Sequence, residues 1–181
     1  VISTDNNDLI AITLTNTLNN SDITKLNSIA SKTDGLLTAS LSNVTAAQAN
    51  TITTDSTDAI TVTLTSPAAS ASDLIAIDGK TIQQIDADAV SAINGSLANI
   101  RTVQTSTSTI RIDDEYSSTV SGTLGNSDVS TLNTLAGLTS GTVTASVANV
   151  SASQANFLST VSTDAITITL DAGATTTDVL I

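Results

Sequence analysis

Two patterns of apolar positions alternate along the chain. In the first pattern, apolar residues occupy every second position and mostly hydroxyl residues stand between them, as in the segments 10–14, 60–64 and 166–170. A period of two with many β-branched residues predicts a strand that buries one face.

The second pattern predicts short helices. A polar residue, such as Asp22 or Ser96, precedes apolar residues spaced three or four positions apart. Ser, Asp and Asn at that place accept hydrogen bonds from the free amides of a helix start. We therefore predict helices of two or three turns, with caps that include Asp22, Asp73, Asp128 and Asp178.

The chain also repeats itself. Thr38-Ala39-Ser40 returns as Thr144-Ala145-Ser146, 106 positions further on, and the block 13–75 recurs at 119–181. Similarity at a fixed spacing is typical of arrays in which each unit buries its apolar face against the next. Two kinds of segment alternate in this repeat, one marked by Leu26, Leu74 and Leu132 and the other by Ala49-Asn50, Ala98-Asn99 and Ala155-Asn156.

These patterns predict an α/β solenoid over residues 1–181, in which parallel strands alternate with short helices and two types of coil alternate. A longer loop is expected at about 105–117, where the spacing of the repeat increases. An all-β parallel solenoid stays open as an alternative, because Thr, Ser and Asn are poor helix formers. The chain begins without Met and ends inside a repeat unit, so we expect a fragment of a longer protein.

Composition narrows the class of function. Aromatic residues make up 1% of the chain, so the core must be built from Ile, Leu, Val and Ala. The net charge is −12 and the five basic residues are scattered, which argues against nucleic acid as a partner. No apolar run approaches the ~20 residues of a membrane span. The absence of Cys and Met fits an extracellular or cell-surface location.

Acidic residues are the only candidates for a metal site. The carboxylates of five residues could supply oxygen ligands to calcium, namely Asp86, Asp88, Asp113, Asp114 and Glu115. None of them lies in a twelve-residue calcium loop or a Gly-rich nonapeptide, so solvated turns are the plainer interpretation. The segment 78–81 ends like a phosphate-binding loop but lacks its glycines, which predicts a turn after a helix. No other cofactor is expected.

Hydroxyl residues form a second candidate surface. A regular row on one sheet face could order water, bind ice or bind a glycan, although Ser40, Asp86 and Ser146 interrupt its regularity. The predicted row consists of Thr13, Thr61, Thr63, Thr167 and Thr169.

The segments 132–146 (Leu-Asn-Thr-Leu-Ala-Gly-Leu-Thr-Ser-Gly-Thr-Val-Thr-Ala-Ser) and 87–99 resemble tandem repeats of very long surface or secreted proteins of marine cyanobacteria and similar bacteria. The resemblance implies an extracellular structural or adhesive array.

We therefore expect a structural segment of a surface, filament or surface-layer protein that associates with further copies or repeats. A carbohydrate- or ice-binding module of an adhesin and a viral fibre segment remain alternatives. No enzyme is expected, since the chain has no His or Cys for acid–base work near neutral pH. A polysaccharide-active enzyme would have to depend on Asp113 or Asp114.

Overall fold

The computed structural model describes residues 8–172 and shows an α/β fold with two parallel sheets and short helices. The helices are α1 (Ile23–Ala30), α2 (Ala46–Ala49), α3 (Ala71–Asp78), α4 (Leu97–Thr105), α5 (Val129–Ala136) and α6 (Ala152–Ala155). The strands are β1 (Ile12–Leu18), β2 (Leu37–Val44), β3 (Ala59–Leu64), β4 (Ala68–Ser70), β5 (Ile85–Asp86), β6 (Ala92–Gly95), β7 (Ile110–Arg111), β8 (Ser117–Leu124), β9 (Val143–Val150) and β10 (Ala165–Leu170).

Each sheet contains five strands. The first has the order β1-β2-β3-β5-β7, the second has the order β4-β6-β8-β9-β10, and the strand pairs in both are parallel. Parallel neighbours need a crossover connection, and the helices supply it. The prediction of an α/β fold is confirmed, and the all-β alternative is wrong because helices recur between the strands.

The strands bury alternate side chains. On β3, Ile60, Val62 and Leu64 are buried while Thr61 is exposed. The cluster of buried residues consists of Ile, Leu, Val and Ala with the chain's single Tyr, Tyr116. Thin aliphatic layers of this kind suit strands and helices that stack at short intervals.

The helix starts differ in detail from the prediction. Ser96 caps α4 as predicted, since its hydroxyl accepts the Asn99 amide at 3.2 Å. Asp22 stands at the N-cap of α1 but makes no side-chain cap bond there, because a 3-10 turn precedes the helix. Its carboxylate instead reaches back to the Asn19 amide, at 3.3 Å.

Two further aspartates, Asp128 and Asp73, were predicted to cap helices. The carboxylate of Asp128 accepts the Gly125 amide at 2.8 Å, just as that of Asp22 accepts the Asn19 amide. Asp73 lies inside the first turn of α3, whose N-cap is Ser70. Asp178 lies outside the described residues.

The two copies of the repeat lie in different sheets. Strands β1, β2 and β3 belong to the first sheet, whereas β8, β9 and β10, which carry the repeated sequence, belong to the second. Both copies nevertheless have the same irregularity in strand pairing. The register shifts between Thr13 and Thr17 in the first copy and between Thr119 and Thr123, 106 positions later, in the second. The same local fold is therefore built twice, in two settings.

The segment predicted as a loop at about 105–117 contains structure of its own. Strand β7 pairs with β5 through Ile110 and Ile85. A turn at residues 113–115 then leads to β8. Two residues are too few to produce an alternating pattern, so the strand left no signal in the sequence.

Candidate functional site

Buried threonine hydroxyls join one unit of the chain to the unit before it. Thr33 Oγ1 donates to the Ile10 carbonyl at 2.6 Å, and Thr81 Oγ1 donates to the Ile60 carbonyl at 2.8 Å. Thr139 makes the equivalent bond to the Tyr116 carbonyl. Burial makes such side-chain-to-backbone bonds costly to lose.

Thr81 shows how one hydroxyl serves several backbone groups. Besides donating, its oxygen accepts the Ile60 amide at 2.9 Å and the Gln83 amide at 3.0 Å. Thr81 is 6% exposed, so water cannot easily replace these partners. The segment 78–81 contains a turn after α3, as predicted, because α3 ends at Asp78 and Gly79 and Lys80 form the turn.

A buried aspartate has a comparable role. Asp58 Oδ1 accepts the Leu37 amide at 2.9 Å and Asp58 Oδ2 accepts the Asp55 amide at 3.2 Å. Asp164, in the second copy, accepts the Val143 amide at 2.8 Å. Each carboxylate therefore satisfies the first amide of the preceding strand.

Asparagine side chains tie the helices to the next unit. Asn27 Nδ2 donates to the Thr51 carbonyl and Asn27 Oδ1 accepts the Thr53 amide, both at 2.9 Å. Asn133 makes the same pair of bonds, to the Phe157 carbonyl at 2.6 Å and the Ser159 amide at 2.9 Å.

The roles of Asp58, Asn27 and the buried threonines were not predicted. Their signal was in the sequence, because Asp58, Asn27 and Thr33 each recur as the same residue type 106 positions later. Spacing alone did not say which repeated polar residues turn inward.

Lys80, Asn50 and Asp73 form a series of hydrogen bonds between units. Its Nζ donates to the backbone carbonyl of Asn50 and, at 2.9 Å, to the Asn50 side-chain oxygen. Asn50 Nδ2 in turn donates to Asp73 Oδ1 at 2.8 Å. Burial lowers the pKa of Lys80, and the negative charge of Asp73 opposes that shift.

Asp86 and Asp88, two of the candidate calcium ligands, hold a protein cation. Arg111 Nη2 lies 2.8 Å from Asp86 Oδ1, and Arg111 Nε lies 2.9 Å from Asp88 Oδ2. The hydrogen bonds that Arg111 donates to Asp88 and Asp86 raise the pKa of the guanidinium, the bond to Asp88 having the larger effect. These oxygens are therefore already engaged by a positive charge.

The other three candidate ligands lie in the turn that follows β7. Asp113 Oδ1 accepts the Glu115 amide at 3.1 Å, which is the bond of a simple turn. Asp114, Glu115 and Asp113 are all exposed. Across residues 8–172, no three side chains of the metal-binding types come together.

The five candidate threonines do not share one surface. Thr13, Thr61 and Thr63 lie on the first sheet, whereas Thr167 and Thr169 lie on the second. The structure differs here from the prediction of a single row, because the sequence repeat does not reveal that its second copy pairs in another sheet.

Hydroxyl rows do exist, but they are short. Thr17, Ser40 and Thr61 are register neighbours on the first sheet. Thr63 has Asp86 as its neighbour, and Arg111 follows in the same row. An ion pair thus interrupts the polar, uncharged surface of the first sheet.

A cavity of about 200 Å³ lies beside the turn that contains the acidic residues. Tyr116 is 3% exposed, and its hydroxyl has no hydrogen-bond partner among the described residues. The lining residues are Gln104, Thr107, Ile112, Asp114, Tyr116 and Leu138.

Burial is the main influence on the Tyr116 hydroxyl and raises its pKa, while Gln104 and Arg101 act in the opposite direction. Gln104 is near but already bonded, because its Oε1 accepts from Arg101 at 2.5 Å. Its Nε2 donates to the Leu135 carbonyl at 3.4 Å. By distance and angle the Tyr116 hydroxyl has no hydrogen-bond partner within residues 8–172, although Gln104 lies close enough to lower its pKa.

Comparisons of the chain with protein-family models, curated proteins and solved structures find no match. No helix between residues 8 and 172 has the length and apolar character that crossing a bilayer requires. What the chain does must therefore be inferred from its own residues.

Proposed function

We propose that the chain is a structural segment of an extracellular α/β solenoid, which acts by extension and self-assembly or adhesion and not by catalysis. The observation that carries this proposal is the recurrence of side-chain bonds between units at nearly constant separation. The bonded residues are 25 positions apart for Thr33 and Asp8, 23 for Thr81 and Asp58, and 25 for Thr139 and Asp114. Nearly equal separations are expected when successive coils of similar length stack on one another.

Two types of coil are supported by the lengths of the helices. Helices α1, α3 and α5 each have eight residues. Helix α2, between α1 and α3, and helix α6, which follows α5, have four residues each, whereas α4, between α3 and α5, has nine. A long helix thus alternates with a shorter one, except at α4, which precedes the enlarged segment.

The two copies suggest how the array continues. Val62 on β3 is 0% exposed, because β3 lies between β2 and β5. Ile168 is its equivalent on β10 and is 42% exposed. Among the described residues, β10 has β9 as its one neighbour in the sheet. A further strand of the β5 type would cover Ile168, and an edge strand with free amides and carbonyls can accept it.

The many hydrogen bonds between successive units suit a protein that must resist tension along the array. Backbone hydrogen bonds between parallel strands run through both sheets, and buried Thr and Asp side chains and half-buried Asn side chains add bonds between units. The absence of Cys and Met limits damage by oxidation, which suits an extracellular location. The resemblance to surface-protein repeats supports the same location.

Sedimentation velocity across a wide range of protein concentration tests the proposal. We expect the wild-type chain to form larger species as concentration rises, and we expect Ile168→Lys to shift that association to higher concentration. Thr167→Lys is the matched control, because it adds the same charge on the opposite face of β10. A chain that stays monomeric throughout, or an equal effect of both variants, would contradict self-assembly through this strand.

A further inference from the structure

We propose that the side-chain amine of Lys80 forms an isopeptide bond with the side chain of Asn50, in a reaction that Asp73 assists. Such a bond is a covalent modification of the chain by its own residues. It goes beyond the structural role and does not depend on assembly of the array. The three side chains contact one another in series, from Lys80 to Asn50 to Asp73.

The amine lies beside the amide that it attacks. Lys80 Nζ is 2.9 Å from Asn50 Oδ1, although 30 positions separate the two residues. The amide carbon Cγ is one C=O bond, about 1.2 Å, from that oxygen, so Nζ lies within about 4 Å of Cγ. Reacting atoms need to approach to about 3–3.5 Å, and a small rotation of the flexible lysine side chain covers the difference.

Asp73 contacts the nitrogen atom that must leave. Its Oδ1 accepts a hydrogen bond from Asn50 Nδ2 at 2.8 Å. A carboxylate at this place can take a proton from the attacking amine and give it to the departing nitrogen. Asp73 therefore supplies the acid–base step that the exchange of one amide for another requires.

The backbone holds the three side chains in place. Asn50 is the C-cap of α2, where its amide donates to the Ala46 carbonyl at 2.8 Å. Asp73 lies in the first turn of α3, and Lys80 follows the end of that helix. The Lys80 carbonyl accepts the Thr54 hydroxyl at 2.9 Å. Groups held in this way react as parts of one molecule, which removes most of the entropic cost of bringing them together.

Partial burial favours the reactive form of the amine. Lys80, Asn50 and Asp73 are all half-buried. Desolvation disfavours the ammonium form and lowers the pKa of Lys80, although the charge of Asp73 opposes that shift. Only a neutral amine can attack an amide carbon, so the lowered pKa makes Lys80 a better nucleophile than an exposed lysine.

The reaction balances without any other reactant. The Lys80 nitrogen forms a bond to Asn50 Cγ and loses one proton through Asp73. The Cγ–Nδ2 bond breaks, and Nδ2 takes that proton and leaves as ammonia. No electrons are gained or lost, so the reaction needs neither an oxidant nor a reductant. The product joins the end of α2 to the end of α3 by an amide bond, which resists tension better than the hydrogen bonds do.

Mass spectrometry of the purified chain tests the proposal. We expect the intact mass to be lower than the sequence mass by one molecule of ammonia. Trypsin digestion after denaturation locates the bond, because the enzyme does not cleave after an acylated lysine. The segment 33–101, bounded by the cleavage sites at Lys32 and Arg101, should appear as one peptide that lacks one ammonia. Its fragment ions should join Asn50 to Lys80.

Three variants assign the roles of the side chains. Lys80→Met should keep the full sequence mass. Asp73→Asn retains an oxygen that accepts a hydrogen bond but cannot carry the proton, so the unreacted fraction after cell-free synthesis should decline about 100-fold more slowly. Lys32→Met is the matched control and should still lose ammonia, because Lys32 precedes Thr33 as Lys80 precedes Thr81.

The proposal is overturned if the folded wild-type chain keeps its full sequence mass after prolonged incubation at neutral pH. It is also overturned if Lys80→Met loses ammonia as the wild type does, which would place the loss at another amide, such as Asn94 before Gly95. Circular dichroism establishes that each variant is folded. The peptide map of the wild-type chain decides the matter even where a variant does not fold.

Discussion

The carboxylate of Asp58 accepts the backbone amide of Leu37 at 2.9 Å, although 21 positions separate the two residues. This bond joins the turn before β3 to the start of β2, and Asp58 is 7% exposed. A charged acceptor strengthens a hydrogen bond to an amide, and burial prevents water from replacing it.

Replacing Asp58 by Ala should therefore destabilise the fold. We expect Asp58→Ala to lower the free energy of unfolding by about 1.5–3 kcal/mol, because the Leu37 amide loses a charged partner. Urea denaturation followed by circular dichroism measures the change. Asp113→Ala removes an exposed carboxylate as a control and should cost less than about 1 kcal/mol. Equal losses in the two variants would show that burial of Asp58 does not matter.

The hydroxyl group of Thr81 should contribute to stability as much as the packing of its side chain does. Thr81→Val keeps the shape of the side chain but leaves the Ile60 amide without a partner, so we expect a loss of about 1–3 kcal/mol in the free energy of unfolding. Thr81→Ser retains the hydroxyl and should recover part of that loss. Thr61→Val, at an exposed strand position, should be nearly neutral. The prediction fails if Thr81→Ser is less stable than Thr81→Val.

Removing one buried hydroxyl should stabilise the chain. Ser118 is 1% exposed and its Oγ has no partner among the described residues. The equivalent residue of the first copy is the apolar Ile12. We expect Ser118→Ala to raise the free energy of unfolding by about 1 kcal/mol, measured as a higher Tm and a higher urea midpoint. A lower Tm would indicate that an ordered water or an alternative rotamer satisfies this hydroxyl.

Close backbone contact should make Gly141 intolerant of any side chain. A Cβ at Gly141 would overlap the Tyr116 carbonyl and approach the Glu115 carbonyl oxygen to 2.6 Å. Gly141→Ala should therefore lower the free energy of unfolding by about 1–3 kcal/mol through forced backbone movement. At Gly137 the nearest contact would be 3.4 Å, so Gly137→Ala serves as a control with little effect. Similar losses at both positions would argue against the close contact.

The chain's single Tyr should titrate above the usual value for tyrosine. Burial raises the pKa of Tyr116, so absorbance of the phenolate at 295 nm should have its midpoint above pH 10. Stability linked to this group is complete below the pKa of an unfolded tyrosine, about 10, and is lost as pH rises through the folded pKa. Complete unfolding in concentrated urea should bring the midpoint back to about 10. A native midpoint at or below 10 would contradict burial of this hydroxyl.

Local pattern predicted the elements that depend on near neighbours. The alternating segment 60–64 became β3, and the apolar spacing after Ser96 became α4. Each of these elements buries one face, so its periodicity is a direct record of its environment. The internal repeat likewise predicted that the second copy would build the same strands and helices.

Long-range pairing could not be predicted in the same way. Asp86 and Asp88 lie in one unit and their partner Arg111 lies in the next, so their ion pairs depend on the register of β5 against β7. That register was hidden because both strands are two residues long. The cavity at Tyr116 likewise depends on three separate segments, and no periodic pattern marks such a meeting.

The division of the two copies between two sheets has a consequence for any partner that recognises the repeated motif. Thr61 and its counterpart Thr167 belong to separate sheets. They are therefore two separate positions for binding and not neighbouring positions along one continuous surface. A partner small enough to contact one of these threonines would bind at the two places independently, with an affinity at each that depends on its own neighbouring strands. A gain in affinity from avidity would require a partner that contacts both sheets at the same time.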